Sequence, residues 1–229
     1  MNKKKIQIDS VAQIIDHTLL VASATQKDIE KICHEAIEHG FRAVCVNQTW
    51  VKFCSGILGH NSNILVAAVV DFPLGAGNLE QKRVLSEIVK KEGATEIDVV
   101  MNMGKFLDGK YKEVAEELRV VSAILPTKVI IETGYLNDGQ ILKATELVDK
   151  SGANFIKTST GWEPKVDIKE KARQVKLIRD NFPRLKIKAA GGIKTMADLE
   201  LMLESGANIV GASESVVIAK ESEKEKKLK

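Results

Sequence analysis

"KSGANFIKT", residues 150–158, holds a helix end, a turn and a strand start within nine residues. Lys150 and Ser151 close a polar segment, Gly152 interrupts it, and an apolar run begins at Phe155. The same arrangement recurs in "EHGFRAVCV" (38–46), "KEGATEIDVV" (91–100) and "ESGANIVGA" (204–212). Glycine takes the left-handed conformation that closes a helix, and the alanine that follows three of these glycines lets the chain turn into a sheet. The junctions are spaced by about two βα units each, which predicts a regular ring in place of an open sheet with a reversal of strand order.

Further short runs of strand character are "ILVAAVV" (64–70), "KVIIET" (128–133) and "LKIKAA" (185–190). With "AVCVN" (43–47), "EIDVVMN" (96–102), "NFIKT" (154–158) and "NIVGAS" (208–213), they read as buried parallel strands. Amphipathic segments lie between them. In "TQKDIEKICHEAIEHG", Ile29, Ile32, Cys33, Ala36 and Ile37 fall on one helical face and the charges on the other. The order is βαβα from end to end. Counting "IIDHTLL" (14–20) as the first strand gives eight units, the number that closes a TIM (β/α)8 barrel. The fold class is therefore α/β, a single TIM barrel. The alternative is an open doubly wound sheet, but no GxGxxG follows any strand, which weakens a dinucleotide-binding version.

A chain of 229 residues with 44% hydrophobic composition suits one large domain around a single core. We expect a barrel over residues 1–220, with the charged stretch 221–229 as a frayed helix end or disordered tail. Charged residues are 28% with a net charge of only +3, so there is no global basic field for nucleic acid. The lysines of "MNKKKIQIDS" (1–10) precede no signal-length apolar segment, and no run approaches the roughly 20 apolar residues of a membrane span. A soluble, cytoplasmic protein without a membrane partner is expected. Cys33, Cys45 and Cys54 have no CxxC spacing and read as reduced thiols.

Chemistry in this fold sits at the C-terminal ends of the strands, so charges inside apolar strands carry the functional reading. Asp16 lies in the first strand, Asp98 in the fourth, Glu132 at the end of the fifth, Lys157 in the sixth and Lys188 in the seventh. A structural ion pair is the simplest account of any one of them; together they predict a site at one mouth. Two inward lysines disfavour each other's protonation, and a neighbouring cation with desolvation is a recognised way to activate an amine whose usual pKa is about 10.4. That points to Schiff-base chemistry on a carbonyl. His17, His34, His39 and His60 are scattered and form no metal-ligand cluster, so no metal is expected. Gly191 and Gly192 follow the seventh strand, and Gly211 and Ser213 stand at the end of the eighth ahead of a helical segment. This is the usual place of a phosphate site in the fold.

These residues resemble a known family. "IDHTLL", "VCVN", "FPLGA", "EIDVVMN", "VIIETGYL", "GANFIKTSTGW", "IKAAGGI" and "GAS" occur in the order found in deoxyribose-phosphate aldolases, class I aldolases built on a TIM barrel, from about residue 14 to 215. The resemblance implies that Lys157 forms the imine, that Lys188 is a second cation tuning it, and that Asp98 relays protons with a bound water. It implies reversible cleavage of 2-deoxy-D-ribose 5-phosphate to acetaldehyde and D-glyceraldehyde 3-phosphate, no cofactor, small phosphorylated sugars and aldehydes as partners, and a homo-oligomer, dimer or tetramer. Asp16, Thr18 and Thr160 would support the network at the substrate, Asn47 would line the mouth with Cys45, and packing is the simpler role for Cys45.

The chain departs from the family pattern in four places. Val21-Ala22 stand where a Lys-Pro pair is expected, and Gln48 where a proline is expected. Glu214 follows "GAS" in the first turn of a phosphate-binding helix, where a carboxylate pointing inward would repel a dianion. Trp162 stands where some members have lysine, and "EPKVDI" replaces a Gly-Ala-Thr run, leaving Lys165 or Lys194 to supply positive charge. Two alternatives stay open: a Schiff-base aldolase with a different acceptor aldehyde, and a catalytically weak barrel kept for binding.

Overall fold

The computed structural model describes residues 11–59, 63–162 and 164–227. The N-terminal basic stretch, His60 and the last two residues of the charged tail lie outside them. Eight parallel strands close on themselves in sequence order: β1 Ile15–Leu19, β2 Ala43–Val46, β3 Leu65–Val70, β4 Glu96–Val100, β5 Thr127–Ile130, β6 Phe155–Lys157, β7 Lys186–Ala190 and β8 Ile209–Ala212. Pairing of Asp16 with Gly211 in register joins the last strand to the first, so the open-sheet alternative is excluded.

The outer layer is α1 Gln26–His39, α2 Val51–Leu58, α3 Leu79–Lys91, α4 Met103–Leu107, α5 Tyr111–Ser122, α6 Asp138–Lys150, α7 Ile168–Asn181, α8 Met196–Glu204 and α9 Ser215–Lys227. Thr25, Asn78, Asn137 and Thr195 begin four of these helices with reciprocal capping boxes, which satisfy backbone donors that a helix start leaves free. The glycines of the four repeated junctions, Gly40, Gly93, Gly152 and Gly206, all have positive φ, from 67° to 108°. Among the described residues, no helix is long and apolar enough to cross a membrane.

Three details differ from the sequence reading. Ile37 is 52% exposed, because at 3.6 residues per turn it lies roughly 80° round the helix from Ile29, off the stripe of Ile29, Ile32, Cys33 and Ala36 that packs inward. Strand β5 ends at Ile130, and Glu132 follows in a left-handed conformation with φ 45°. Helix α9 runs across the expected boundary at residue 220 as far as Lys227, so of the two forms expected of the tail its described part takes the helical one, in a run rich in the good helix formers Glu and Lys.

Two cores result from the alternation of side chains along each strand. Outward residues such as Val44, Val66, Ile97, Val99, Val129, Ile156, Ile187 and Val210 pack under the helices in one continuous cluster. Inside the barrel the apolar filling is small: Leu20, Cys45, Ala67 and Val69, with Phe72 against them. Ala43, Val100, Ile130, Phe155 and Ile209 share the inward phase of their strands, and a buried cluster of charge lies among them.

Candidate active site

Strand period sets that charge. In β4, Ile97 points to the helices while Glu96 and Asp98 point inward; Lys128 of β5 is in register with Asp98, and Lys157 of β6 with Lys188 of β7. Asp98 is their centre. Its Oδ2 accepts from Lys157 Nζ at 2.9 Å and from Lys188 Nζ at 2.8 Å, and its Oδ1 accepts from Lys128 Nζ at 3.0 Å. Lys188 also donates to Asp16 Oδ2 at 2.5 Å, and Lys128 to Glu96 Oε2 at 2.6 Å. Arg42 closes the network from below, reaching Asp16 Oδ1 at 2.7 Å and Glu96 Oε2 at 2.9 Å. Pairing of this kind offsets the cost of burying the charges. Four cations face three carboxylates, so the cluster reaches neutrality when one amine gives up its proton.

The pairing decides the protonation of its members. Burial alone would raise Asp98, but Lys128, Lys157 and Lys188 outweigh it and hold the carboxyl well below its usual range. Asp16 is likewise lowered, against burial, by Lys188, Lys128 and Arg42. Burial works against the charge of Lys188, yet Asp16 and Asp98 raise its pKa, which keeps it a cation. Lys128 is raised in the same way, mainly by Asp98 and Asp16. Cys45 packs inside the barrel with its Sγ 3.9 Å from Asp98, and burial followed by the Asp98 charge pushes its thiol up.

A cavity of about 180 Å3 opens above this cluster. Lys157 is the member of the cluster that lines it. Thr18, Thr160, Gly191, Gly192, Gly211 and Ser213, all expected at the substrate, also line it. Asp16 and Asn47 do not. Asp16 is fully buried beneath, where Arg42 and Lys188 claim its carboxylate, and the Asn47 amide donates instead to Leu20 O at 3.1 Å, tying the loop after β1 to the loop after β2. Thr160 is held from behind by Glu132, whose Oε2 accepts from its backbone N–H at 2.9 Å and from its hydroxyl. Burial raises the Glu132 carboxyl, and the Thr160 bonds oppose the rise.

The departures from the family pattern are also located. Glu214 lines a neighbouring groove with His17, Lys31, Glu35 and Lys220, not the cavity, so the feared repulsion of a dianion does not arise from it. Trp162 is at the rim, its ring 5.1 Å from Phe72 and at 85° to it, an edge-to-face contact. Lys194 lines the cavity and Lys165 does not. Four charged residues went unnoticed in the sequence: Arg42, Glu96, Lys128 and Lys171. For Glu96 and Lys128 a signal existed, since each stands on the inward phase of its strand. Among the described residues, no three His, Cys, Asp or Glu side chains converge to hold a metal ion.

Comparison with known proteins agrees with this fold. The sequence model of the DeoC/LacD family aldolases matches residues 10–218. A deoxyribose-phosphate aldolase of Caldanaerobacter subterraneus subsp. tengcongensis is 40% identical, over 98% of this chain and 99% of its own length. Among solved structures, the aldolase QR15 superposes with a TM-score of 0.89 at 35% identity, covering 96% of this chain and 99% of that one. A tetrameric deoxyribose phosphate aldolase from Aeropyrum pernix superposes with a TM-score of 0.83 at 30% identity, covering 93% and 91%. A closed eight-stranded barrel, a lysine at the floor of its mouth and likeness along nearly the whole chain lead to one conclusion: the protein belongs to the DeoC/LacD family of aldolases.

Proposed function

We propose that the protein is a class I aldolase that reversibly cleaves 2-deoxy-D-ribose 5-phosphate to acetaldehyde and D-glyceraldehyde 3-phosphate through an imine on Lys157. The observation that carries this reading is that Lys157 Nζ stands at the cavity floor, 2.9 Å from an ionised Asp98 that it shares with the cation Lys188.

In the cleavage direction the neutral Lys157 amine adds to the sugar aldehyde carbon, and the carbinolamine takes up a proton and loses water to give the protonated imine. Removal of the C3 hydroxyl proton breaks the C2–C3 bond, releasing D-glyceraldehyde 3-phosphate and leaving an enamine on Lys157. Protonation of the enamine and hydrolysis free acetaldehyde and restore the amine. Asp98, kept ionised by the cations Lys128 and Lys188, accepts and returns protons around Lys157 Nζ, and Lys188 supplies the fixed positive charge beside it. Proton transfer by a positioned group contributes about 10²- to 10⁴-fold. Thr18 and Thr160 flank the substrate, and Gly191, Gly192, Gly211 and Ser213 form its anion-binding end, near the start of α9.

A second reading rests on Trp162 and Phe72: the same chemistry on an acceptor aldehyde with less charge, received against the aromatic rim. Assembly into a homo-oligomer is also proposed, on the likeness to the tetrameric relative, together with a place in the cytoplasm; light scattering of the purified protein tests the assembly. The central test is chemical. Incubation with acetaldehyde and borohydride followed by peptide mass spectrometry should find the reduced adduct on Lys157 and none in Lys157→Arg. Unmodified Lys157 with no cleavage of deoxyribose 5-phosphate would sink the aldolase reading.

A further inference from the structure

Lys171 lies in the first turns of α7, is 2% exposed, and has no place in the proton chemistry above. Its Nζ donates to Ser159 Oγ at 2.7 Å. Ser159 belongs to the segment that leaves β6 two residues after Lys157, between Thr158 and the cavity-lining Thr160. Among the described residues no carboxylate forms an ion pair with Lys171; Glu132 is the acid whose charge reaches it.

An amine buried without an ion pair is costly, and such a cost needs a reason. The surroundings supply one. Gly161 and Gly191, from the loops after β6 and β7, meet face to face: a Cβ on Gly191 would stand 3.2 Å from Gly161 Cα and 3.5 Å from Lys171 Nζ. Both glycines line the cavity, as does Gly192. The ammonium group therefore sits one layer of atoms behind a stretch of wall that carries no side chains. A charge at that depth, in a medium less polar than water, acts through the wall more strongly than an exposed, solvated lysine such as Lys194.

We propose that Lys171 is the cation that selects for an anionic group on the acceptor aldehyde, acting through Ser159 and the Gly161–Gly191 wall as a positioning and specificity residue. The proposal rests on the aldolase reading above and deepens it: the acceptor class is a phosphorylated aldehyde, and the positive charge comes from behind the loops instead of from Trp162's position at the rim. Burial lowers the Lys171 amine to about 8, with Glu132 opposing, as expected of a cation that lacks its anion until substrate arrives.

The test compares kcat/KM for 2-deoxyribose 5-phosphate with that for unphosphorylated 2-deoxyribose in wild type, Lys171→Met, Lys171→Gln and Lys171→Arg. The ratio should fall roughly tenfold in both neutral variants, chiefly through KM of the phosphorylated sugar, and be largely retained in Lys171→Arg. Two neutral variants of different polarity guard against one that fails to fold, and borohydride trapping of acetaldehyde confirms that each keeps a working Lys157. A ratio that is unchanged in the neutral variants, that falls as far in Lys171→Arg, or that is already near unity in wild type overturns the proposal. Failure of wild type to trap acetaldehyde is a separate result and overturns the aldolase reading itself.

Discussion

Lys128 Nζ donates to Asp98 Oδ1 at 3.0 Å, on the carboxylate oxygen opposite the one that Lys157 and Lys188 share. The central acid is thus held from both sides, and its plane is fixed by an amine that does not line the cavity. Lys128→Met should leave Asp98, Glu96 and Asp16 short of one counter-charge in the barrel interior. Removing one partner of a buried ion pair typically costs about 3–5 kcal/mol, so urea denaturation should show a loss of that order. Activity should fall as well, because Asp98 becomes free to turn away from Lys157. A stability within 1 kcal/mol of wild type, on the order of a surface substitution, would contradict this role for Lys128.

Asp98→Asn removes the charge at the hub without changing its shape. Three ammonium groups then share a neutral amide, whose NH2 can only repel them. We expect kcat/KM to fall by about 10²- to 10⁴-fold if Asp98 moves protons. The pH dependence of stability should change too. The folded Asp98 carboxyl lies below its unfolded value, so its ionisation stabilises the fold above the ordinary aspartate range, near 3.9, and that contribution is lost as pH falls below it. Acid unfolding should therefore be less steep in Asp98→Asn than in wild type, as measured by circular dichroism between about pH 5 and 2.

The barrel was legible because βα periodicity and junction glycines are local signals, repeated often enough to count. Asp98, Lys157 and Lys188 were legible for the same reason, as charges interrupting apolar strands. Lys128 was missed although it stands on the inward phase of its strand, since it opens the run "KVIIET", where a lysine reads as the solvated edge; its register opposite Asp98 shows that it faces inward. Arg42 and Lys171 lie outside the strands, and what buries them is the meeting of elements far apart in sequence. Asp16 was read correctly as an inward residue, but its depth in the barrel, which takes it away from the cavity, depends on the tilt and stagger of closure, and no single strand encodes that.

Gly211 separates two roles that its sequence position merges. It was expected at the anion end, and it does line the cavity, but a Cβ there would also stand 2.9 Å from Lys188 Cε. Gly211→Ala should push the Lys188 amine away from Asp16 and Asp98, lowering the rate of borohydride-trapped adduct formation with acetaldehyde, a donor that carries no phosphate. Overpacking of this kind costs about 1–3 kcal/mol. Gly192→Ala is the contrast: nothing lies within 4 Å of its added Cβ, so only its positive φ of 81° resists, at about 1–2 kcal/mol. Its acetaldehyde trapping should stay near wild type. Equal loss in the two variants would mean that Gly211 acts through the backbone alone.

Lys171 makes stability depend on alkaline pH in an unusual direction. Its amine lies at about 8 in the folded protein, against an ordinary 10.5. Below 8 it is charged in both states, and burial of that charge works against folding. Between about 8 and 10.5 the unfolded chain binds the proton and the folded one does not, so the term makes stability rise with pH across this window. At about 1.4 kcal/mol per unit the full change is about 3 kcal/mol. Lys171→Met has no such term. It should be more stable than wild type near pH 7, and the advantage should shrink as pH climbs to about 10, read from urea midpoints in parallel. Saturating inorganic phosphate, if it occupies the glycine-walled end of the cavity, supplies the missing anion, favours the charged amine, and should narrow the gap at pH 7. An advantage of Lys171→Met that is constant with pH would mean that the buried amine is not the source of the difference.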